Sequence, residues 1–300
     1  MKKFLTRFLL VASLLTIALP LNAAPQTNRA YALVESVQMP AWVERKGARQ
    51  PLEAGEALQS NDRVVTGADA KVLIRLAEGS AVKLGESAEL ELNALGWRDS
   101  SVFTAALDVV KGAFRFTTGI FSKRRQQREV NVRIATITAG IRGTDLWGSS
   151  DSERDLVCLL EGRITVSHAQ DKAHELSEAL SFYTAPKGKA PNPIGKVDPE
   201  QIKRWAAQTE VSSGNGYTRR GGRWMVELAA YDNEKDALDL YDRARAAGYA
   251  VQIKPRRTKG ESQRYAVRIA QVASRTEAAV LAEKLRQRLE LGATVVSRQP

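Results

Sequence analysis

The stretch of this chain with the densest supply of reactive side chains is IATITAGIRGTDLWG, residues 134 to 148. Gly140, Gly143 and Gly148 stand there among Arg142, Asp145 and Trp147, and glycine beside charge is the composition of a phosphate cradle or a catalytic turn. A Walker-type loop needs Gly-x4-Gly-Lys-Ser/Thr between a strand and a helix, whereas GIRGTD lies between two strand-patterned runs. A glycan-cleaving site needs a carboxylic acid in an apolar pocket with a second carboxylate opposite. Asp145 and Glu161 are available, and both fall in turn motifs. Nucleophilic catalysis needs a base beside the nucleophile, and His168 and His174 are the only histidines. A His-x5-His pair without a cysteine or third ligand nearby does not make a metal site. Cys158, the only cysteine, has no disulfide partner in the chain and reads as a small buried hydrophobe. No catalytic, metal-binding or cofactor-binding set emerges. The motif therefore reads as a corner in a scaffold: its glycines turn the chain between strands, Arg142 and Asp145 brace the turn, and Trp147 closes the core beside it.

The elements that position this corner alternate with period two. AKVLIRL (70–76), SAVKLGESAELEL (80–92), FTAALDVV (103–110), GAFRF (112–116), VNVRIATIT (130–138), DLVCLLEG (155–162) and RITVSHA (163–169) are strand-like and separated by glycine turns. From Ala32 to about residue 185 the pattern predicts an all-β domain, either a sandwich or a β-solenoid. KRRQQRE (123–129) breaks the alternation and is expected as a basic exposed loop.

The N-terminus has the layout of a secretory signal peptide over residues 1–23: Lys2, Lys3 and Arg7, then an apolar run from Phe8 to Leu21, then Ala23 and Ala24. That run is shorter than the ~20 residues that span a bilayer, and no later run is longer and apolar, so no stable membrane span is expected after cleavage. Export and a periplasmic location follow. The net charge falls from +11 to +11 − 3 = +8 once Lys2, Lys3 and Arg7 are removed. An exported basic protein meets anionic wall polymer, anionic lipid or acidic partners rather than nucleic acid.

Beyond Pro186 the texture changes. Residues 186–221 read as a linker: PKGKAPNPIG is extended, SSGNGYTRRGG is a flexible tether, and a short helix over 198–208 lies between them. Asp198 caps that helix, Pro199 opens it, and Ile202 and Trp205 share one face. Residues 222–300 alternate between strand and helix periods in the order β-α-β-β-α-β, with Asp232 or Asn233 capping the first helix and RTKGESQ forming a hairpin turn. WMVELAAYDNEKDALDLYDRARAAG and YAVRIAQVASRTEAAVLAEKLRQRLELG echo each other. This is the pattern of a ferredoxin-like α+β domain with two helices on one face of an antiparallel sheet. Alternation places Val226, Leu228, Ala230, Val251, Ile253, Tyr265, Val267 and Ile269 under the helices. It leaves Met225, Glu227, Ala229, Tyr231, Gln252, Lys254, Arg264, Ala266, Arg268 and Ala270 on the open face. Polar groups with an aromatic over small alanines suit a sugar chain, so Glu227, Tyr231, Gln252, Arg264 and Arg268 are the expected glycan-binding residues.

The C-terminal segment resembles the SPOR (sporulation-related repeat) domain over about residues 222–298. Trp224, Val226, Leu228, Ala230 and Tyr231 carry its opening strand, followed by DNEKDAL and RYAVRIAQVASRTEA. Glu227 stands where a glutamine is common, and Ala270-Gln271-Val272 replaces a Gly-Pro-Phe turn. The resemblance implies binding to peptidoglycan, to glycan strands stripped of stem peptides, at sites of septal wall remodelling in cell division. Residues 32–185 resemble the FecR domain through LEAGEALQSNDRVVTGADAKVLIRLAEGSAVKLGESAELEL (52–92), IATITAGIRGTDLWG and LLEGRITV. FecR proteins relay receptor occupancy through a cytoplasmic segment and a membrane helix; neither is expected here, so anti-sigma signalling is not carried over. The resemblance implies a periplasmic scaffold with an envelope protein partner. The expectation is an exported, non-enzymatic envelope protein without cofactor that binds peptidoglycan. The alternative is a FecR-type regulatory protein whose C-terminal domain binds protein rather than glycan.

Overall fold

Alternating sequences bury one row of side chains per strand, and two such sheets close a core between them. The computed structural model describes residues 30–98, 101–119, 127–141, 143–257 and 263–299. Its strands are β1 (Ala32–Gln38), β2 (Ala41–Arg45), β3 (Ala48–Pro51), β4 (Ala57–Leu58), β5 (Asp62–Thr66), β6 (Lys71–Leu76), β7 (Ala81–Leu84), β8 (Glu89–Arg98) and β9 (Val102–Thr117). Next come β10 (Gln127–Ile134), β11 (Ile137–Ile141), β12 (Asp145–Ser150), β13 (Arg154–Glu161), β14 (Ile164–His168), β15 (Asp171–Leu176), β16 (Ser181–Pro186) and β17 (Gly195–Lys196).

Two sheets result. The first runs β1-β6-β7-β9-β12-β13-β16-β17, with β4 beside the start of β1. The second runs β3-β2-β5-β8-β9-β10-β11-β14-β15. Strand β9 serves both, giving its first part to the second sheet and its last residues to the first. Among the described residues of these two sheets, pairing is antiparallel apart from β9–β10, so this is a sandwich rather than a solenoid of parallel coils. Phe114, Phe116, Leu146 and Val157 of one sheet meet Leu92, Leu107, Val132 and Ala139 of the other in its core.

The C-terminal part contains β19 (Trp224–Tyr231), α2 (Glu234–Ala246), β20 (Gln252–Arg256), β21 (Arg264–Val272), α3 (Arg275–Arg288) and β22 (Val295–Arg298). The sheet order is β20-β21-β19-β22, all antiparallel, as the β-α-β-β-α-β pattern requires. Asn233 and Ser274 cap the two helices through side-chain oxygens that accept from Asp236 N and Glu277 N.

Three expectations are corrected. Gln127, Arg128 and Glu129 of the expected basic loop belong to β10; residues 123–126, the expected 1–23 signal peptide and most of the expected RTKGESQ turn lie outside the described residues. The PKGKAPNPIG segment folds back along β16, where Asn192 N donates to Thr184 O at 2.9 Å and β17 pairs with Ser181 and Phe182. The segment expected as a flexible tether is a built joint. Within it β18 (Tyr217–Arg219) pairs with Ser36–Gln38 of β1 on one edge and with Val272 of β21 on the other, beyond the end of β20. Composition misled here because Gly and Ser supply the turn geometry that ordered joints also need.

Glu277 completes the joint. It is 3% exposed and accepts from three successive amides of the connection: Gly214 N at 2.6 Å, Asn215 N at 3.1 Å and Gly216 N at 2.7 Å. Ala41 N also donates to Gly248 O, at 3.2 Å, and Met39 and Tyr249 are buried at the same seam. One contiguous cluster of buried apolar residues draws on both parts, and Trp147, Leu156 and Cys158 make a second cluster.

Glu277→Ala removes a buried carboxylate that satisfies three amides, so about 2–3 kcal/mol of stability should go, and amide exchange at residues 214–216 should speed up while α2 keeps its protection. In the sandwich, Asp155 has a fully buried side chain paired with Lys187, and it accepts from Thr136 Oγ1 at 2.6 Å and Thr136 N at 3.1 Å. Burial pushes its pKa up, and the bonds from Lys187, Thr136 and Ser150 outweigh that to hold it below the usual carboxylate range. A depressed folded-state pKa gives stability that is present above the unfolded value of about 3.9 and lost as pH falls through the folded value. In urea unfolding from pH 7 downward, the stability gap between wild type and Asp155→Asn should therefore narrow below about pH 4.

Candidate functional site

The IATITAGIRGTDLWG corner is less a turn than its composition suggests. Gly140 lies inside β11, and of the three glycines only Gly143 has positive φ, at +70°. Gly148 is needed for close approach: a Cβ there would meet Phe114 Cε1 at 2.5 Å and Leu156 O at 2.8 Å. Arg142, expected to brace the turn with Asp145, lies outside the described residues. Asp145 instead forms a two-pronged ion pair with Arg115 on the neighbouring strand, Nε to Oδ1 at 2.9 Å and Nη2 to Oδ2 at 2.6 Å. The Asp145 hydrogen bond outweighs burial and raises the Arg115 pKa. Asp145 and Glu161 face each other in register across β12 and β13, with the Asp145 carboxylate held by Arg115. His174 Nε2 and the Tyr183 hydroxyl both meet Asp171 Oδ2, each at 2.9 Å. Cys158 is buried and its thiol pKa is pushed up to about 12 by that burial.

Trp147 does not close the inner core. Cross-strand register aligns Leu73, Lys83, Arg115, Trp147, Cys158 and Phe182 in one row on the outer face of the first sheet. Helix α1 (Pro199–Thr209) lies on that row. Its N-cap is Asp198 with Pro199 following, as the sequence requires, and its Ile202/Trp205 face packs against Trp147, Leu156, Cys158 and Phe182. Trp205 stacks on Trp147 with ring centroids 4.6 Å apart and planes 3° from parallel. The Ile202–Trp205 spacing signalled a docked face; nothing in the sequence signalled that Trp147 was the floor.

The open face of the C-terminal sheet gathers most of the expected glycan-binding residues. Glu227, Arg268 and Gln252 stand abreast across β19, β21 and β20, and Arg264 lies on the same face with Ala266 between it and Arg268. Tyr231 does not join them. A bulge between Glu227 and Ala229 shifts the register, so Ala229 pairs with Val267 and Tyr231 with Tyr265, both on the helix-covered face. The same shift turns Ala230 outward opposite Ala266, which is 1% exposed and forms the floor. Period-two counting missed this because one extra residue reverses every later side chain. Residues not singled out by the sequence also contribute. Arg256 Nη1 reaches Glu227 Oε2 at 3.1 Å, and Met225 Sδ accepts from Arg268 Nη1 at 3.4 Å. Arg264 is anchored on Ala230 O at 2.7 Å and on Asp232 at 3.1 Å, while Arg268 Nε has no hydrogen-bond partner among the described residues. Gln271, in place of the Gly-Pro-Phe turn, takes φ +57° at a second bulge.

Residues 221–297 match the SPOR domain family and residues 62–175 the FecR protein family. The chain thus joins a FecR region to a C-terminal SPOR domain. No curated protein sequence matches it. It is similar to two crystal structures of candidate anti-sigma factors from Parabacteroides distasonis ATCC 8503, solved at 1.65 and 2.50 Å. The first is 12% identical and aligned over 48% of this chain and 64% of its own, with a TM-score of 0.40. The second is 10% identical and aligned over 76% of this chain and 91% of its own, also with a TM-score of 0.40. The chain therefore spans less than two thirds of the length of the first.

Proposed function

We propose that this chain is an exported, non-enzymatic protein of the Gram-negative periplasm that binds peptidoglycan glycan strands through its SPOR domain and presents the FecR-like sandwich to an envelope protein partner. The observation that carries the reading is the SPOR match together with the row Glu227–Arg268–Gln252 on a sheet face that the helices leave open. A carboxylate, a guanidinium and an amide abreast offer acceptors and donors to sugar hydroxyls. The small floor of Ala230 and Ala266 lets a chain approach the backbone. Stripping stem peptides removes the bulk that would hold a glycan off such a shallow face. Tyr231 lies on the helix-covered face, so recognition at this row rests on hydrogen bonds. Both domain types are binding or regulatory modules found in envelope proteins, which fits the leader-like N-terminus and a role at division sites. No helix among the described residues is long and apolar enough to cross a membrane.

Because β18 belongs to both parts, the test uses the whole mature chain. Retention on purified sacculi should rise when amidase strips the stem peptides, with no muropeptides released. Arg268→Ala and Gln252→Ala should each weaken retention about tenfold, the cost of losing a hydrogen bond to or from a charged or polar partner, and Tyr231→Phe should leave it unchanged. Equal retention of all variants, or none of the wild type, would remove the wall-binding half. In that case a protein co-purifying with the SPOR domain would support the regulatory alternative.

A further inference from the structure

Helix α1 is held on the sandwich in an unusual way. Its eleven residues are too few for a stable isolated helix, and only Thr209 is fully buried. It has no basic residue in its last turn; the sandwich supplies the cations instead. Lys71 Nζ donates to Ala207 O at 2.6 Å and to Glu210 O at 2.9 Å, Lys83 pairs with the Glu210 carboxylate, and Arg115 Nη1 reaches the same carboxylate at 3.2 Å. Three cations thus converge on the negative end of the helix dipole. At the other end of the seat, Trp147 is 2% exposed, yet its indole Nε1 has no hydrogen-bond partner among the described residues. A buried donor left unsatisfied marks a seat that its present occupant fills incompletely.

We propose that this strip, apolar at Trp147 and basic at Lys83, is a receptor groove for an amphipathic partner helix bearing an aromatic residue and a C-terminal carboxylate, with α1 as its resident, exchangeable occupant. An incoming helix that places an acceptor opposite Trp147 Nε1 gains a bond that α1 does not make. Because Glu210 is followed seven residues later by β18, displacement of α1 loosens the strand that joins sandwich and SPOR domain, so occupancy of the groove is coupled to the joint. This names the partner class for the protein-binding half of the function proposed above and rests on that half alone. Sacculus retention is read separately, so failure here leaves the wall-binding reading standing.

Cys158 lies beneath Ile202 and Trp205 in the same apolar cluster, which makes the only thiol a reporter of α1 undocking. The measurement is the rate of its modification by a water-soluble disulfide reagent in the intact mature chain under native conditions, with urea midpoints recorded in parallel. Trp205→Ala, which removes the stack, should raise the rate about tenfold at an unchanged midpoint. Glu210→Gln, a partly exposed change that leaves the sandwich core intact, should raise it about threefold. A synthetic peptide of residues 197–211 added to the Trp205→Ala chain should restore protection, and the same peptide carrying Glu210→Lys should not. Rates unchanged in both variants, or a peptide that gives no protection, would overturn the proposal.

Discussion

A β-strand carries hydrogen-bonding groups along both edges, and an edge left open invites another strand. In β18 both edges are spent within the chain, on β1 of the sandwich and on β21 of the SPOR domain. Three residues, Tyr217–Arg219, therefore turn two sheets into one continuous surface. Thr218 at their centre is buried and donates its hydroxyl to Val37 O at 3.2 Å. So short a strand cannot hold alone. Glu277 gathers the amides before it, Ala273 N donates to Tyr217 O beside it, and the apolar core runs unbroken beneath. The orientation of the C-terminal sheet relative to the sandwich follows from this joint.

The joint also explains why the outer face of the first sheet matters. A sandwich hides its inner faces, and its outer faces are available for partners. Here one outer row passes from Lys83 through Arg115 and Trp147 to Cys158, and α1 lies along it immediately before the chain reaches β18. The IATITAGIRGTDLWG motif contributes Trp147 to that row and Asp145 beside it. Its Asp145 carboxylate orients Arg115, and its Trp147 is a platform for a helix. The Glu227–Arg268–Gln252 row lies on the opposite side of its sheet from the helices, apart from the α1 seat.

Much of this was legible in the sequence, where local rules dominate. Alternation located the strands, Asp198-Pro199 and Asn233 marked helix starts, and the repeated strand–helix pattern gave the β-α-β-β-α-β order. Features set by a single extra residue or by distant pairing were not legible. The bulge after Glu227 moved Tyr231 to the covered face, a change of sign that no period-two count reveals. The Gly- and Ser-rich run before Tyr217 has the composition of a tether, and only its long-range partners Ser36–Gln38, Val272 and Glu277 make it a joint. Trp205 announced a buried stripe on a short helix, but its partner, Trp147, is 58 residues away (205 − 147) and contact at that range leaves no periodic trace.

A joint of this kind holds the two domains as one body with a fixed relative orientation. Double electron–electron resonance between nitroxides at Lys172→Cys and Leu238→Cys, both exposed positions in separate parts, reads that orientation in a Cys158→Ser background. A single narrow distance distribution is expected, broadening when Glu277 is replaced by alanine. A broad distribution in the otherwise unmodified protein, insensitive to Glu277, would contradict it and return residues 210–222 to the role of a flexible tether.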